Sequence, residues 1–312
     1  MTRDEFDARR RKALDRRWQS NAPLSLLTTF RVGGAAEWLA DIRSITELQA
    51  TLADAAAAGV PVTLVGGGSN LLVADSGLSG VVIRLRLSAI SQPAPDLVRA
   101  EAGATINGLV RWTVGRGFAG IEEWAGTPGT VGGAIYGNAH WNRRNLGDLV
   151  RAAMVMSRSG LMSEVPQREM AFAYDTSRLQ HTGEILISAD FVVSPGESGV
   201  LRERARASLH YRKTTQPLAA PSAGCIFQNP DPERDGVPDG IPPSAGALID
   251  RAGLKGRRVG GAYISETHAN FIVNDGSATA ADVRALAELA RAEVRARFGV
   301  LLRDEIVCLG TF

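Results

Sequence analysis

A chain of 312 residues with a formal net charge of +2 has room for about two or three packed units and no global field to draw nucleic acid. Apolar residues at 45% and charged residues at 22% are ordinary for a globular protein, and no apolar run approaches the roughly 20 residues that span a bilayer. The start, Met1-Thr-Arg-Asp-Glu-Phe-Asp7, has no apolar segment for secretion, and its acids argue against an organelle transit peptide. Cys225 and Cys308 are therefore expected as reduced thiols in a cytoplasmic protein.

Residues 1 to 20 scatter Arg and Asp/Glu at helical spacing, and the acids cancel the basic run Arg9-Arg-Arg-Lys12, which predicts a solvated leading helix. Residues 27–40 read as a strand, a Gly33-Gly34 turn and a second strand. An alanine-rich helix follows from Thr46, the expected cap, to Gly59, the expected stop. Short strands are expected over 61–65 and 81–87, on either side of a glycine-rich turn. The order β-β-α-β-loop-β suggests a small α+β unit.

A second unit opens with a strand at 98–102 and a helix over 105–117 lined by Ile106, Leu109, Val110, Trp112 and Val114. Strands are expected at 152–157, 161–165 and 184–193, then a basic helix over 200–211 that ends at Gln216-Pro217. Residues 229–244 are rich in proline and glycine and read as an exposed loop. A short helix at 245–252 and strands at 261–264 and 271–273 come next. The clearest helix runs over 279–298, with Val283, Leu286, Leu289, Val294 and Phe298 on one face, and a closing strand follows at 301–309.

Two glycine-rich stretches stand out: Leu64-Val-Gly-Gly-Gly-Ser-Asn70 and Gly126-Thr-Pro-Gly-Thr-Val-Gly-Gly-Ala-Ile-Tyr-Gly-Asn138. Each glycine costs ordering entropy, and the usual return is a backbone that turns sharply or approaches something closely. Amide N–H groups in such loops suit an anion, most often a phosphate. No Gly-Lys-Ser/Thr follows either stretch, and neither fits a G-x-G-x-x-G turn opening a βαβ unit. No His/Cys cluster has metal-ligand spacing.

These stretches resemble the two pyrophosphate loops of the UDP-N-acetylenolpyruvoylglucosamine reductase (MurB) family. The likeness continues, in the family's order, through Thr29-Phe-Arg-Val-Gly-Gly34, Ser222-Ala-Gly-Cys-Ile-Phe-Gln-Asn-Pro230, Leu248-Ile-Asp-Arg-Ala-Gly-Leu-Lys-Gly256, His268-Ala-Asn-Phe-Ile-Val-Asn274 and Phe298-Gly-Val-Leu-Leu-Arg-Asp-Glu-Ile306. It implies an α+β fold: an FAD-binding module of the vanillyl-alcohol-oxidase/PCMH type in two lobes, plus a C-terminal α+β substrate-binding domain. The expected division is a helical extension 1–26, FAD lobes 27–96 and 97–214, a substrate domain 215–300 and a closing strand 301–312. The short segment before Gln216-Pro217 resembles the family's second type, which lacks an inserted tyrosine-bearing loop.

The resemblance implies non-covalent FAD, NADPH as reductant and UDP-N-acetyl-3-O-(1-carboxyvinyl)-glucosamine as substrate. It implies a cytoplasmic monomer of peptidoglycan precursor synthesis, with neither nucleic-acid nor membrane partners. FAD contacts are expected from Arg31, from Gly66, Gly67, Gly68, Ser69 and Asn70, and from Gly126, Thr127, Gly129, Thr130, Gly132, Gly133 and Asn138. Cys225 stands where many members place a serine proton donor, and Glu305 matches a C-terminal catalytic glutamate. Substrate contacts are expected from Tyr174, Ser177, Gln216, Asn229 and His268.

Two departures matter. The family's Tyr-Arg-x-Ser reads Tyr174-Asp-Thr-Ser177 here, so the arginine held to stabilise an enolate is Asp175. Arg178 is the expected replacement, with Arg31, Arg212 and Arg251 as other candidates. Glycine usually follows Asn-Ala, where this chain has His140, a residue type that binds flavin covalently in related oxidases. A flavin oxidase or dehydrogenase of the same fold acting on another sugar or alcohol is the runner-up, and a non-catalytic flavin or nucleotide-sugar binder comes third. NADPH oxidation with and without the enolpyruvyl substrate separates the three.

Overall fold

The computed structural model describes residues 1–12 and 17–312. Helix α1 (Arg3–Lys12) is shorter than expected; residues 13–16 of that expectation lie outside the described residues, and strand begins at Trp18. The chain divides into two compact units. The first comprises residues 1–21, 37–67 and 79–211, and the second 22–36, 68–78 and 212–312. Two short pieces from the first hundred residues thus group with the C-terminal part.

The first unit holds two sheets. One orders Trp18–Pro23, Ala35–Ile42, Leu78–Leu85 and Val62–Leu64, the last pair parallel. Helix α2 (Ile45–Ala57) is capped by Ser44, whose Oγ accepts from Glu47 N–H at 3.1 Å, two residues ahead of the expected Thr46. Its Leu48, Leu52 and Ala55 join Trp38, Ile42, Val81 and Ile83 in one core. The other sheet is antiparallel, in the order Met162–Pro166, Val150–Met156, Ile185–Val192, Leu97–Glu101 and Ile90–Ala94. Met156, Ile185 and Ile187 of this sheet reach the first core, so the two lobes share buried apolar surface. Helix α3 (Ile106–Gly115), capped by Thr105, buries Ile106, Leu109, Val110 and Val114. Helix α4 (Val131–Tyr136) lies inside the second glycine stretch, and α5 (Arg178–Thr182) follows the Tyr174 turn. Helix α6 (Ser198–Thr215) carries the chain from the first unit into the second.

The second unit packs α7 (Ala245–Arg251) and α8 (Ala280–Phe298) with an antiparallel sheet of Arg258–Val259, Ala262–Ile264 and Ile272–Asn274. Helix α8 forms where the apolar spacing foresaw it: Val283, Leu286, Ala287, Ala290 and Val294 are buried at helical intervals. Thr279 and Asp282 make a reciprocal capping box, and Gly299 at φ +74° ends the helix in a left-handed turn. Leu286 is fully buried, so truncation to alanine would cost about 2–5 kcal/mol. The early pieces are stitched in by polar contacts. Asp75 accepts from the α8 amides of Ala280 and Ala281 at 2.9 and 3.0 Å, and Asn274 Nδ2 donates to Phe30 O at 2.9 Å. The expected closing strand is confined to Val307–Leu309, which pairs in parallel with Leu71–Val73.

Candidate active site

In the first unit the two glycine stretches meet. A Cβ on Gly66 would lie 2.7 Å from Thr130 Oγ1, and one on Gly67 would lie 2.6 Å from Gly129 Cα. Only glycine permits so close an approach. The second stretch turns through positive φ at Gly126 and Gly129, +84° and +101°. It is pinned by Asn107, which sequence reasoning passed over: Asn107 Oδ1 accepts from Gly126 N–H at 2.7 Å and Nδ2 donates to Thr127 O at 3.1 Å. Its only sequence signal is an amide side chain in the first turn of a mostly apolar helix.

Among the described residues, the backbone N–H groups of Gly66, Gly67, Gly129 and Thr130 donate no hydrogen bond, and Thr127 Oγ1 is buried without a partner. The amides of Val131 and Gly132 are instead spent on Ala104 O and Ala102 O, each at 2.8 Å. A cradle of opposed glycines with open amide donors fits a pyrophosphate.

The expected residues around α4 make bonds within the chain. Asn138, expected at the cofactor, is a brace: Nδ2 donates to Ala173 O at 2.8 Å and Oδ1 accepts from Gly147 N–H at 2.9 Å. Ser177, expected at the substrate, is fully buried and donates to Tyr136 O at 2.8 Å. These bonds lock the turn of Tyr174 and Asp175 onto the end of α4, with Asp175 at φ +55°. Arg178 is held by both oxygens of Glu184, at 2.7 and 3.2 Å. That contact pushes the Glu184 carboxyl below its usual range and neutralises the expected enolate cation. His140 and Asp175 meet, Nδ1 to Oδ1 at 3.1 Å, with the His140 ring centroid 5.0 Å from that of Tyr174. The two departures from the family pattern thus meet in one contact.

The second unit gathers the remaining expected residues: Arg31, Gly68, Ser69, Asn70, Gln216, Cys225, Asn229, His268 and Glu305. Glu305 N–H donates to Ile226 O at 2.8 Å, which sets Glu305 beside the Cys225 segment. Asn70 Nδ2 donates to Glu305 O at 2.9 Å, so the tail of the first glycine stretch holds the same residue. Asn270 orders the cysteine segment, since its backbone oxygen accepts from Ile226 N–H, its Oδ1 from Phe227 N–H, and its Nδ2 donates to Phe227 O. Arg212 is only 6% exposed and lies within electrostatic reach of Cys225. Burial lowers its guanidinium to about 10, which leaves it charged at neutral pH.

Asn229 Oδ1 accepts from Ala245 N–H at 3.1 Å, at the start of α7. His268 is half-buried against Phe271, and burial lowers its imidazole below the ordinary value. Arg31 and Arg251 are exposed. Neither Cys225 nor Cys308 is in a disulfide, and among the described residues no cluster could hold a metal and no helix is long and apolar enough to cross a membrane.

A glycine cradle suited to a pyrophosphate in a two-lobed α+β module, with a thiol, a carboxylate and a buried arginine in a second unit, is the arrangement of an FAD-containing oxidoreductase. The family model for an FAD binding domain matches residues 37–165, and that for the C-terminal domain of UDP-N-acetylenolpyruvoylglucosamine reductase matches 216–309. The chain is 38% identical over 301 residues to the UDP-N-acetylenolpyruvoylglucosamine reductase of Synechococcus sp. (strain JA-3-3Ab), covering 96% of this chain and 93% of the relative. It is 40% identical over 291 residues to that of Moorella thermoacetica, covering 93% of each. The crystal structure of the Thermus caldophilus reductase superposes with a TM-score of 0.78 at 31% identity, over 94% of this chain and 98% of that one. The chain belongs to the UDP-N-acetylenolpyruvoylglucosamine reductase family.

Proposed function

We propose that the protein reduces UDP-N-acetylglucosamine enolpyruvate to UDP-N-acetylmuramate with NADPH, a step of peptidoglycan precursor synthesis, as a cytoplasmic monomer. The observation that carries this reading is the convergence of Cys225, Arg212 and Glu305 on one frame. When bound, FAD supplies the hydride that it takes from NADPH. Gly66, Gly67, Gly129 and Thr130 would hold its pyrophosphate through backbone amides, with Thr127 Oγ1 as a further donor.

Hydride arriving at the vinyl terminus turns that carbon into a methyl group. The displaced π electrons move to the neighbouring carbon and its carboxylate, where negative charge builds. Arg212 supplies positive charge at the Cys225 end of the site, the part first expected of Arg178. The Cys225 S–H bond breaks and a C–H bond forms at the charged carbon. The thiolate recovers its proton from solvent, with Glu305 relaying it. Tyr174 and Gln216 remain substrate contacts in this reading, and Asn229 and His268 shape the frame around them.

Anaerobic stopped-flow spectroscopy tests it. NADPH should bleach the flavin band and the enolpyruvyl nucleotide should restore it, with the lactyl ether as product. A reduced protein that the enolpyruvyl nucleotide fails to reoxidise would refute the reading.

A further inference from the structure

Glu305 lies in a stretch that sheet pairing scarcely supports. Among the described residues, the one ladder contact made between Gly299 and Val307 is an isolated bridge of Asp304 with Phe227. Backbone bonds hold the peptide there, Gln228 N–H to Arg303 O at 2.9 Å and Glu305 N–H to Ile226 O at 2.8 Å, but a carboxylate that acts at a defined point also needs its side-chain direction fixed. Helix α8 does this. Arg284, Glu288 and Arg291 lie at i, i+4 and i+7, one face of the helix.

Arg284 Nη1 donates to Asp304 Oδ2 at 2.7 Å, and Arg291 Nη2 donates to Asp304 Oδ1. Both oxygens of Asp304 are thereby taken by guanidinium groups. Arg291 Nε also donates to Leu302 O at 2.9 Å, and Arg284 Nη1 contacts Cys308 Sγ at 3.6 Å. The two arginines therefore grip the segment on both sides of Glu305. Glu288 sits between them, 2.5 Å from each. The Asp304 side chain is 26% exposed and that of Arg291 17%, so the contacts are shielded from solvent more than a surface pair is. The helix beneath is a rigid rail, with its apolar face buried and both ends capped.

The geometry does more than anchor a loop. In extended backbone, successive side chains leave on opposite sides. Tying Asp304 to α8 turns Glu305 away from that helix, while the Glu305 N–H and C=O are held by Ile226 O and Asn70 Nδ2. We infer that Arg284 and Arg291, acting through Asp304, are positioning residues that aim the Glu305 carboxylate for proton transfer. The inference rests on the reductase reading above.

The test compares the two half-reactions of the FAD-loaded protein. Asp304→Asn keeps the shape and removes the charge that both arginines grip. Arg291→Ala removes one grip, and Arg291→Lys keeps its charge without the fork. Asp304→Asn and Arg291→Ala should slow reoxidation by the enolpyruvyl nucleotide about 10- to 100-fold, the scale of a small misplacement of a reacting group. Flavin reduction by NADPH should stay within about twofold of wild type, and Arg291→Lys should fall between the wild type and Arg291→Ala.

In a Glu305→Gln background, Asp304→Asn should add no further loss, because the residue it aims is already disabled. Normal reoxidation in Asp304→Asn and Arg291→Ala would overturn the inference. So would equal slowing of both half-reactions, or an Asp304→Asn loss that multiplies in full with Glu305→Gln. A wild-type protein that the nucleotide does not reoxidise overturns the reductase reading, and this inference with it.

Discussion

Replacing Gly67 by alanine drives a methyl group into the seam between the glycine stretches. Its Cβ would lie 2.6 Å from Gly129 Cα and 3.2 Å from the Gly129 carbonyl carbon. Comfortable carbon contacts need about 3.5–4.0 Å, so the stretches must part by roughly 1 Å. Gly129 yields poorly, because its carbonyl accepts from Ile106 N–H at 3.1 Å and the following amides of Val131 and Gly132 are tied to Ala104 and Ala102. Overpacking of this kind costs about 1–3 kcal/mol, or about 5- to 150-fold if the strain falls on the conformation that holds the cofactor.

Titrating FAD into the apoprotein reads this directly, with the melting temperature of the apoprotein reporting any loss of fold. Gly132→Ala should be milder, since its nearest neighbour is Ala102 O at 3.1 Å. Gly115→Ala, at the end of α3 with nothing within 4 Å, is the control and should leave FAD affinity unchanged. Wild-type FAD affinity in Gly67→Ala, or an equal loss in Gly115→Ala, would refute the seam as the pyrophosphate site.

Cys225→Ser should retain substantial turnover, while Cys225→Ala should cut flavin reoxidation by about 100-fold or more and spare reduction by NADPH. Wild-type reoxidation in the alanine variant would demote Cys225 to a packing residue. The flavin should be non-covalent, because His140 Nδ1 is turned to Asp175; acid precipitation should leave the pellet colourless, and a yellow pellet would contradict this. Burial lowers His268 below its ordinary 6.5, so the unfolded chain takes up the proton first as pH falls. Stability from neutral His268 is present above about 6.5 and is lost on acidification. The urea midpoint should fall from pH 7 to pH 5, less steeply in His268→Gln; identical slopes would show that His268 carries no part of it.

The two glycine stretches were legible because their message is local: glycine, proline and a capping threonine announce a close-approach loop whatever lies elsewhere in the chain. Helix α8 was legible for the same reason, its apolar interval and capping box being contained in the helix itself. What escaped was non-local. Nothing in the spacing of residues 22–36 or 68–78 tells that they pack with 212–312; that follows from contacts such as Asp75 with the start of α8. Residues 301–306 were read as strand, yet they make only the Asp304–Phe227 bridge, and Arg284 and Arg291 of α8 add side-chain support that no spacing discloses.

The candidate site divides along the same line. A motif marks positions where change is harmful, and a brace is as intolerant of change as a ligand contact. Asn138 and Ser177 sit in motifs, and their polar atoms hold the turn that carries Tyr174 and Asp175. Arg178 is paired with a carboxylate that its own motif does not contain. Its partner Glu184 lies across the short helix α5, and only the left-handed Gly183 turn brings the two together. Charge within reach in sequence is therefore a poor guide to charge available for chemistry. Arg212 was one of several candidate arginines, and its burial within electrostatic reach of Cys225 is a property of the packed α6 terminus that no spacing of residues discloses.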